Sequence, residues 1–274
     1  MTRLLFIGDI VGKPGRELVR RGLSALVARH QIDLVIANGE NAAAGFGITP
    51  DIADDLFAYG VQVITGGNHS WDKKEIFPYM ADHPRLLRPA NFPDGAPGRG
   101  RVVVQATNGV AVAVINVMGR VFMTALDDPF TGVLDEIAAV RTDAQIIFVD
   151  FHAEATSEKV AMGWHLDGRV TAVVGTHTHV PTADARLLLR GTAYITDVGM
   201  TGPHDSVIGV ERHAVLQRFL SAMPQRFETA HENPRLNAVI VTADEQTGRA
   251  TAIERLGLSA HDLEALIAAP APLR

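Results

Sequence analysis

Five short polar clusters carry side chains able to bind metal ions or move protons: Asp9, Glu40-Asn41, Asn68-His69, His152 and His177-Thr178-His179. Carboxylate, amide oxygen and imidazole suit borderline or hard divalent ions such as Mn, Fe, Zn or Co. Asp9, Glu40, Asn41, Asn68, His152, His177 and His179 are too many ligands for one ion with an open position. They suit two ions sharing a bridging carboxylate. Such a pair, roughly 3.5–4 Å apart, generates hydroxide from water and clamps a phosphate for in-line attack. The leaving oxygen then needs a proton, and His69, next to Asn68, is the candidate general acid.

Taken singly, each cluster has a plainer reading. Asp9 could cap a helix, Glu40-Asn41 could be solvated loop polarity, and Asn68 could be a turn residue. His69 and His152 could be core histidines with satisfied hydrogen bonds. His177 and His179 stand at i and i+2, which in an extended segment point the same way, although His-x-His also arises by chance. The shared position of the clusters outweighs these readings. Each sits where a predicted strand ends, and open α/β sheets place their sites beyond the carboxyl ends of the strands.

The elements that must position them are legible as alternating patterns. Leu4–Ile7, Leu34–Ala37 and Val61–Thr65 read as buried strands. Between them, a helix opens at Pro14-Gly15 with Leu18, Gly22, Leu23, Leu26 and Val27 on one side, and a second spans Asp51–Tyr59. That order predicts a parallel sheet with right-handed crossovers. Arg101–Ala106 and Val110–Val117 flank Thr107-Asn108-Gly109, a hairpin signal that adds antiparallel strands to the sheet. A helix near Val133–Val140, a strand Gln145–Val149, a helix Thr156–His165 and a strand Val170–Val174 follow. Two more hairpins pair Leu187–Leu189 with Ala193–Thr196 and Leu236–Thr242 with Ala250–Arg255. Ser259 caps a last helix through Ala268, and Pro270 and Pro272 mark a frayed end. The Pro/Gly-rich stretch Pro89–Gly100 reads as a loop, and residues 1–274 as a single domain.

Composition narrows the functions. With 47% hydrophobic and 20% charged residues the 274-residue chain can bury a real core. The formal charge of −6 disfavours stable nucleic-acid binding, yet bound metal ions can reverse the local sign for a small anionic substrate. Without cysteine there is no disulfide, thiolate nucleophile or Cys-rich zinc site, so any metal is held by nitrogen and oxygen. The start lacks signal-peptide shape, and the apolar run Val110–Met118 is shorter than the about 20 residues of a membrane span. A cytoplasmic protein without a membrane partner is the expectation.

Gly66-Gly67-Asn68-His69 resembles the Gly-Asn-His motif of calcineurin-like metallophosphoesterases, Gly8-Asp9 their first aspartate motif, and Gly175-Thr176-His177-Thr178-His179 their last Gly-His-x-His motif. Val11 replaces the usual histidine of the first motif, Glu40 with Asn41 replaces the bridging aspartate, and Ser70 follows His69 in place of an acid. With the segments at Gly39–Ala43, Asp150–Lys159 and Asp197–Pro203, these departures resemble the YmdB-like branch, from Gly8 to about Glu254. The resemblance implies an α/β fold of mixed sheets layered with helices, an αββα sandwich. It implies a phosphodiesterase acting on 2′,3′-cyclic nucleotides with two iron or manganese ions, in a bacterial homo-oligomer. By matching motif, one ion takes Asp9, Glu40, Asn41 and His179, and the other Glu40, Asn68, His152 and His177. Glu40 then bridges and His69 donates the proton.

A phosphomonoester or phosphoprotein phosphatase would use the same ligands, and a nucleotide-sensing regulator is the non-enzymatic alternative. An amidohydrolase is disfavoured, because its His-x-His follows the first strand. Thr201, His204, Asp205 and Ser206 read as a structural turn beside the site, Arg16, Arg20 and Arg21 as a solvated helix face, and Glu158 and Lys159 as helix residues needing no function. Trp71 is open to stacking a base or to packing.

Overall fold

A computed structural model describes residues 1–269. The strands are β1 (Thr2–Ile7), β2 (Leu34–Asn38), β3 (Val63–Thr65), β4 (Arg101–Gln105), β5 (Ala111–Met118), β6 (Ile146–His152), β7 (Ala172–Thr176), β8 (Arg186–Leu187), β9 (Ala193–Ile195), β10 (Gly202–Pro203), β11 (Pro234–Ala243) and β12 (Ala250–Ser259). The helices are α1 (Gly12–His30), α2 (Pro50–Ala58), α3 (Ile76–Asp82), α4 (Pro129–Val140), α5 (Thr156–Leu166), α6 (Arg212–Ser221) and α7 (Ala260–Ala268). Pro270 and Pro272 lie outside the described residues. Among those residues no helix is long and apolar enough to cross a membrane.

Two mixed sheets form. In the first, β1, β2 and β3 run parallel, and β11 pairs antiparallel with β1 while β10 and β12 pair with β11. In the second, β5, β6, β7 and β9 run parallel, with β4 and β8 antiparallel at the two edges. The Asn108-Gly109 hairpin, expected to extend the first sheet, instead founds the second. The inner strand of that hairpin, β5, is buried along nearly its whole length, as a strand covered on both faces must be.

Each strand feeds two cores. Leu4, Phe6, Leu34 and Ile36 meet Val112, Val114, Ile146 and Phe148 between the sheets, with the Phe6 and Phe148 rings stacked at 5.4 Å. Leu5, Ile7, Val35 and Ala37 face outward onto α1, α2 and α7, and Ile115, Ile147 and Val149 face α4 and α5. Helix, sheet, sheet, helix is therefore the layer order. Truncating a ring of the central layer costs about 3–5 kcal/mol. Gly22 lets α7 close over α1, because a Cβ there would stand 2.4 Å from Leu263 Cδ1. Ser259 caps α7 with a complete capping box.

Three elements escaped the periodicity. α3 is short, β10 has only two residues, and α6 carries apolar residues around its surface, so none presents a single stripe. β6 runs on through Asp150, Phe151 and His152 instead of stopping at Val149. His152 is thus a fully buried residue of the strand itself.

Candidate metal centre

The carboxyl ends of the two sheets meet, and all seven ligand candidates converge there. Asp9, Glu40-Asn41 and Asn68 follow β1, β2 and β3 of the first sheet. His152 closes β6, and His177 and His179 follow β7 of the second. Nε2 of His152 lies 3.1 Å from Glu40 Oε1, 2.9 Å from Asn68 Oδ1 and 3.1 Å from His177 Nδ1. Ligand atoms of Glu40, His152 and His177 fall within 4.8 Å of one another. On the other side, Asn41 Nδ2 donates to Glu40 Oε1 at 3.0 Å and meets His179 Nε2 at 3.1 Å, while Asp9 Oδ1 is 3.8 Å from that nitrogen.

Hydrogen-bond accounting fixes the His152 tautomer. The single hydroxyl proton of Thr176 goes to Asp150 Oδ1 at 2.7 Å, so Thr176 Oγ1 accepts from His152 Nδ1–H at 2.9 Å. In the neutral ring Nε2 then offers a lone pair, facing lone pairs of Glu40 and Asn68. Such an arrangement wants a cation. Burial pulls the His152 pKa down, but Glu40 overcomes it and pushes it up to about 8. Burial likewise raises Glu40, yet His152 holds it at about 2. Burial and the neighbouring His152 take His177 down to about 3, the state of a neutral ligand. Asp9, raised by burial, leaves Oδ1 with no hydrogen-bond partner. A Cβ on Gly67 would sit 2.3 Å from both Glu40 Oε2 and His152 Nε2, filling the cage. The donor set, the orphaned carboxylate oxygen and the side-chain-free cradle fit metal ions.

His177 and His179 reach the centre differently from the expectation. The segment is not extended: His177 has φ 99° and His179 φ 66°, both left-handed. Such conformations cost of order 1–3 kcal/mol each and persist where the surroundings impose them. Here Asp197 imposes them, accepting from Thr178 N at 3.1 Å, Thr178 Oγ1 at 2.8 Å and Lys159 Nζ at 2.5 Å. The turn sends the two imidazoles to different partners. His177 turns Nδ1 to His152 and Nε2 to Glu154 Oε2 at 3.1 Å. His179 donates Nδ1–H to the Ile208 carbonyl at 2.8 Å, leaving Nε2 beside Asp9 and Asn41.

His69 stands at the rim, its backbone N–H donating to Glu40 Oε2 at 3.0 Å. Its Nδ1 is 2.7 Å from Asp72 Oδ2, so the acid missing at Ser70 is supplied one turn later. Sequence reasoning missed Asp72, Glu154 and the buried brace of Asp150, Thr176, Lys159 and Asp197. Asp150 had a signal, since it stands two before His152 on a strand and so shares its face. Asp150 also accepts from Thr65 Oγ1 at 2.5 Å and Asn38 Nδ2 at 3.2 Å, tying the two sheets together. Burial pushes its pKa up to about 6. Lys159, read as an idle helix residue, is 1% exposed and ion-paired with Asp197, and buried Glu158 accepts from Arg120 N and Val121 N.

The remaining residues behave structurally. Trp71 packs edge-on against Phe92 at 4.4 Å. Arg20 pairs with Glu17 and Arg21 with Glu264 on the surface, while half-buried Arg16 donates to the Ala42 carbonyl. Thr201 bonds Asn237, Ser206 closes a turn on Pro203, Asp205 accepts from Asn233, and His204 meets Asn237.

Comparison with known proteins agrees with this geometry. The model of the YmdB-like protein family matches residues 5–256. The chain is 52% identical over 254 residues to the 2′,3′-cyclic-nucleotide 2′-phosphodiesterase of Bacillus subtilis strain 168, covering 93% of this chain and 96% of that one. It is 36% identical over 270 residues to a phosphatase/phosphodiesterase, so named provisionally, of Mycoplasma pneumoniae, covering 95% and 94%. The crystal structure of a novel phosphatase from Mycoplasma pneumoniae superposes with a TM-score of 0.88 at 34% identity, covering 96% of both chains. That of a hypothetical protein from Thermus thermophilus gives 0.87 at 43% identity, covering 94% of this chain and 99% of that one. With a metal-ligand cluster at the meeting of two sheets in a metallophosphoesterase fold, the chain belongs to the YmdB-like protein family.

Proposed function

We propose that this protein hydrolyses 2′,3′-cyclic nucleotides, using two transition-metal ions, iron or manganese, at the centre described. Asp9, Glu40, Asn41 and His179 would hold one ion, and Glu40, Asn68, His152 and His177 the other. The carrying observation is the convergence of Glu40, Asn68 and His177 on the lone-pair nitrogen of His152, above a glycine whose Cβ would fill the space. Bound there, metal ions supply positive charge to a phosphate and a nucleophile from water.

The chain's own residues do the rest. Thr176 and Asp150 hold His152 in the tautomer that offers Nε2. Glu154 holds His177 so that Nδ1 is offered, and the Ile208 carbonyl holds His179 so that Nε2 is offered. His69, oriented through Nδ1 by Asp72, donates the proton from its other nitrogen to the departing ribose oxygen as water oxygen bonds to phosphorus. The names of the mycoplasma relatives favour a second reading, phosphomonoester hydrolysis at the same ligands.

Rates on 2′,3′-cyclic AMP, bis-p-nitrophenyl phosphate and p-nitrophenyl phosphate, with elemental analysis of the same preparation, test the proposal. Two ions per chain and a preference for diesters are expected. Two bound ions without diester cleavage would sink it, and a clear preference for the monoester would establish the phosphatase.

A further inference from the structure

The centre opens on one side into a cavity of about 200 Å³ lined by the polar Glu40, His69, His177, His179 and Glu228 and by the apolar Phe46, Ile208 and Phe227, the Phe46 ring lying edge-on to His69 at 5.1 Å. The two groups of residues differ in chemistry. The first would deal with a phosphate. The second is apolar and aromatic, and Phe46 and Ile208 remain 37% and 52% exposed beside a strongly polar centre.

A tight turn shapes this wall: Val207 and Val210 exchange N–H to carbonyl bonds at 2.9 and 3.0 Å, with Ile208 and Gly209, at φ 47° and 99°, as its two central residues. Thr229 Oγ1 is buried and has no hydrogen-bond partner. That oxygen is closed off from solvent and takes no part in contacts across the cavity. Ile208 is β-branched yet has φ 47°. A β-branched residue in the left-handed region is a true outlier, and such strain gathers at ligand clamps. Ile208 orients His179 with its carbonyl while its side chain lines the cavity, so one residue links the metal side to the apolar side. Gly45, with φ 90°, borders the same hydroxyl, and a Cβ there would be 3.1 Å from Thr229 Oγ1.

We propose that this apolar side is a nucleobase subsite, in which Phe46 and Phe227 contact the base face and Ile208 its edge. The proposal rests on the cyclic-nucleotide reading above. The cavity is smaller than the roughly 300–1,000 Å³ of sites for drug-sized ligands, and suits one planar ring system. Two phenylalanines offer nothing to a second phosphate. The Arg218 guanidinium lies over one face of Phe227, 5.3 Å from its ring centroid, and holds the ring in place.

The test compares 2′,3′-cyclic AMP with the 2′,3′-cyclic phosphate of 1-O-methylribose, which has the same scissile ester and no base. Wild-type protein is expected to favour the nucleotide in kcat/KM by at least about tenfold, within the range of base–aromatic stacking. Phe227→Ala should reduce that ratio at least about fivefold, and Phe227→Trp should keep it. Adenosine should compete with the baseless ester on unmodified protein, a reading independent of whether any variant folds. A wild-type ratio near one, or no competition by millimolar adenosine, would overturn the subsite while leaving diester hydrolysis standing. Failure to cleave either ester would instead remove the underlying reading.

Discussion

The two halves of the centre are built from different material. The His152 half is closed by 2.9–3.1 Å contacts and braced from behind by Thr176 and Asp150, both buried in strands. The Asp9 half is looser: Asp9 Oδ1 has no hydrogen-bond partner, His179 stands 3.8 Å from it, and Asn41 turns its amide nitrogen inward. The first half is held from behind by the protein's own hydrogen bonds, while its facing lone pairs call for a cation in front. The second has geometry that an ion would complete. The difference lies in what backs each half: His152 is itself a strand residue fixed by ladders on both sides, whereas His179 is backed by one loop carbonyl, and His177 and His179 share one strained turn.

The largest break in this contrast should come from Gly67→Ala. Its methyl would occupy the His152 cage, so elemental analysis should show the ion of that half lost and diester turnover should fall by more than the roughly 100-fold typical of outer partners. Next, Asp72→Asn should lower kcat by about 10²-fold with metal content unchanged, because it disturbs the proton donor and neither half. Thr176→Val should cost roughly 10- to 100-fold in affinity for the His152-side ion, read by competition with a chelator, and leave the Asp9-side ion in place. Asn41→Asp sharpens the other half. A buried third carboxylate should destabilise metal-stripped protein by about 1–3 kcal/mol, and the melting-temperature gap between loaded and stripped forms should widen. Smallest is Asp184→Asn, behind the Asp197 turn. Burial raises the Asp184 pKa, but hydrogen bonds from Thr196 and Thr182 prevail and hold it below its ordinary 3.8. Its depressed pKa gives stability that is present above 3.8 and lost as pH falls. The variant should therefore melt less steeply with acid below about pH 4, with metal content unchanged.

Much of the centre was legible because strand exits announce themselves. Asp9, Glu40, Asn68 and His177 each follow an apolar run, and the structure brings them together as that pattern implied. What sequence could not supply was the support. Asp150 and Lys159 look like ordinary polar residues until two sheets bury them. Asp72 replaces an acid expected beside His69 because a turn, not adjacency, sets the distance. The His177–His179 geometry was misread as extended, since nothing local forecasts a left-handed backbone at two non-glycine residues. α6 stayed hidden for a related reason: Leu216, Phe219 and Leu220 are exposed, so its apolar residues trace no buried stripe.

The pairing of β1 with β11 has a consequence for how the centre comes into being. Asp9 through Asn68 lie on the first sheet, the three histidines on the second, and the first sheet is complete only when Pro234–Ala243 joins β1. At about 5–20 residues per second, a growing chain has its earliest and latest strand partners separated by many seconds of synthesis. Neither the segment up to β3 nor the segment from β4 to β9 contains a full set of ligands. All seven ligand candidates, Asp9 to His179, are therefore synthesised before the strand that completes their first sheet, and a chain that stops short of Pro234 carries the whole set on an unfinished scaffold.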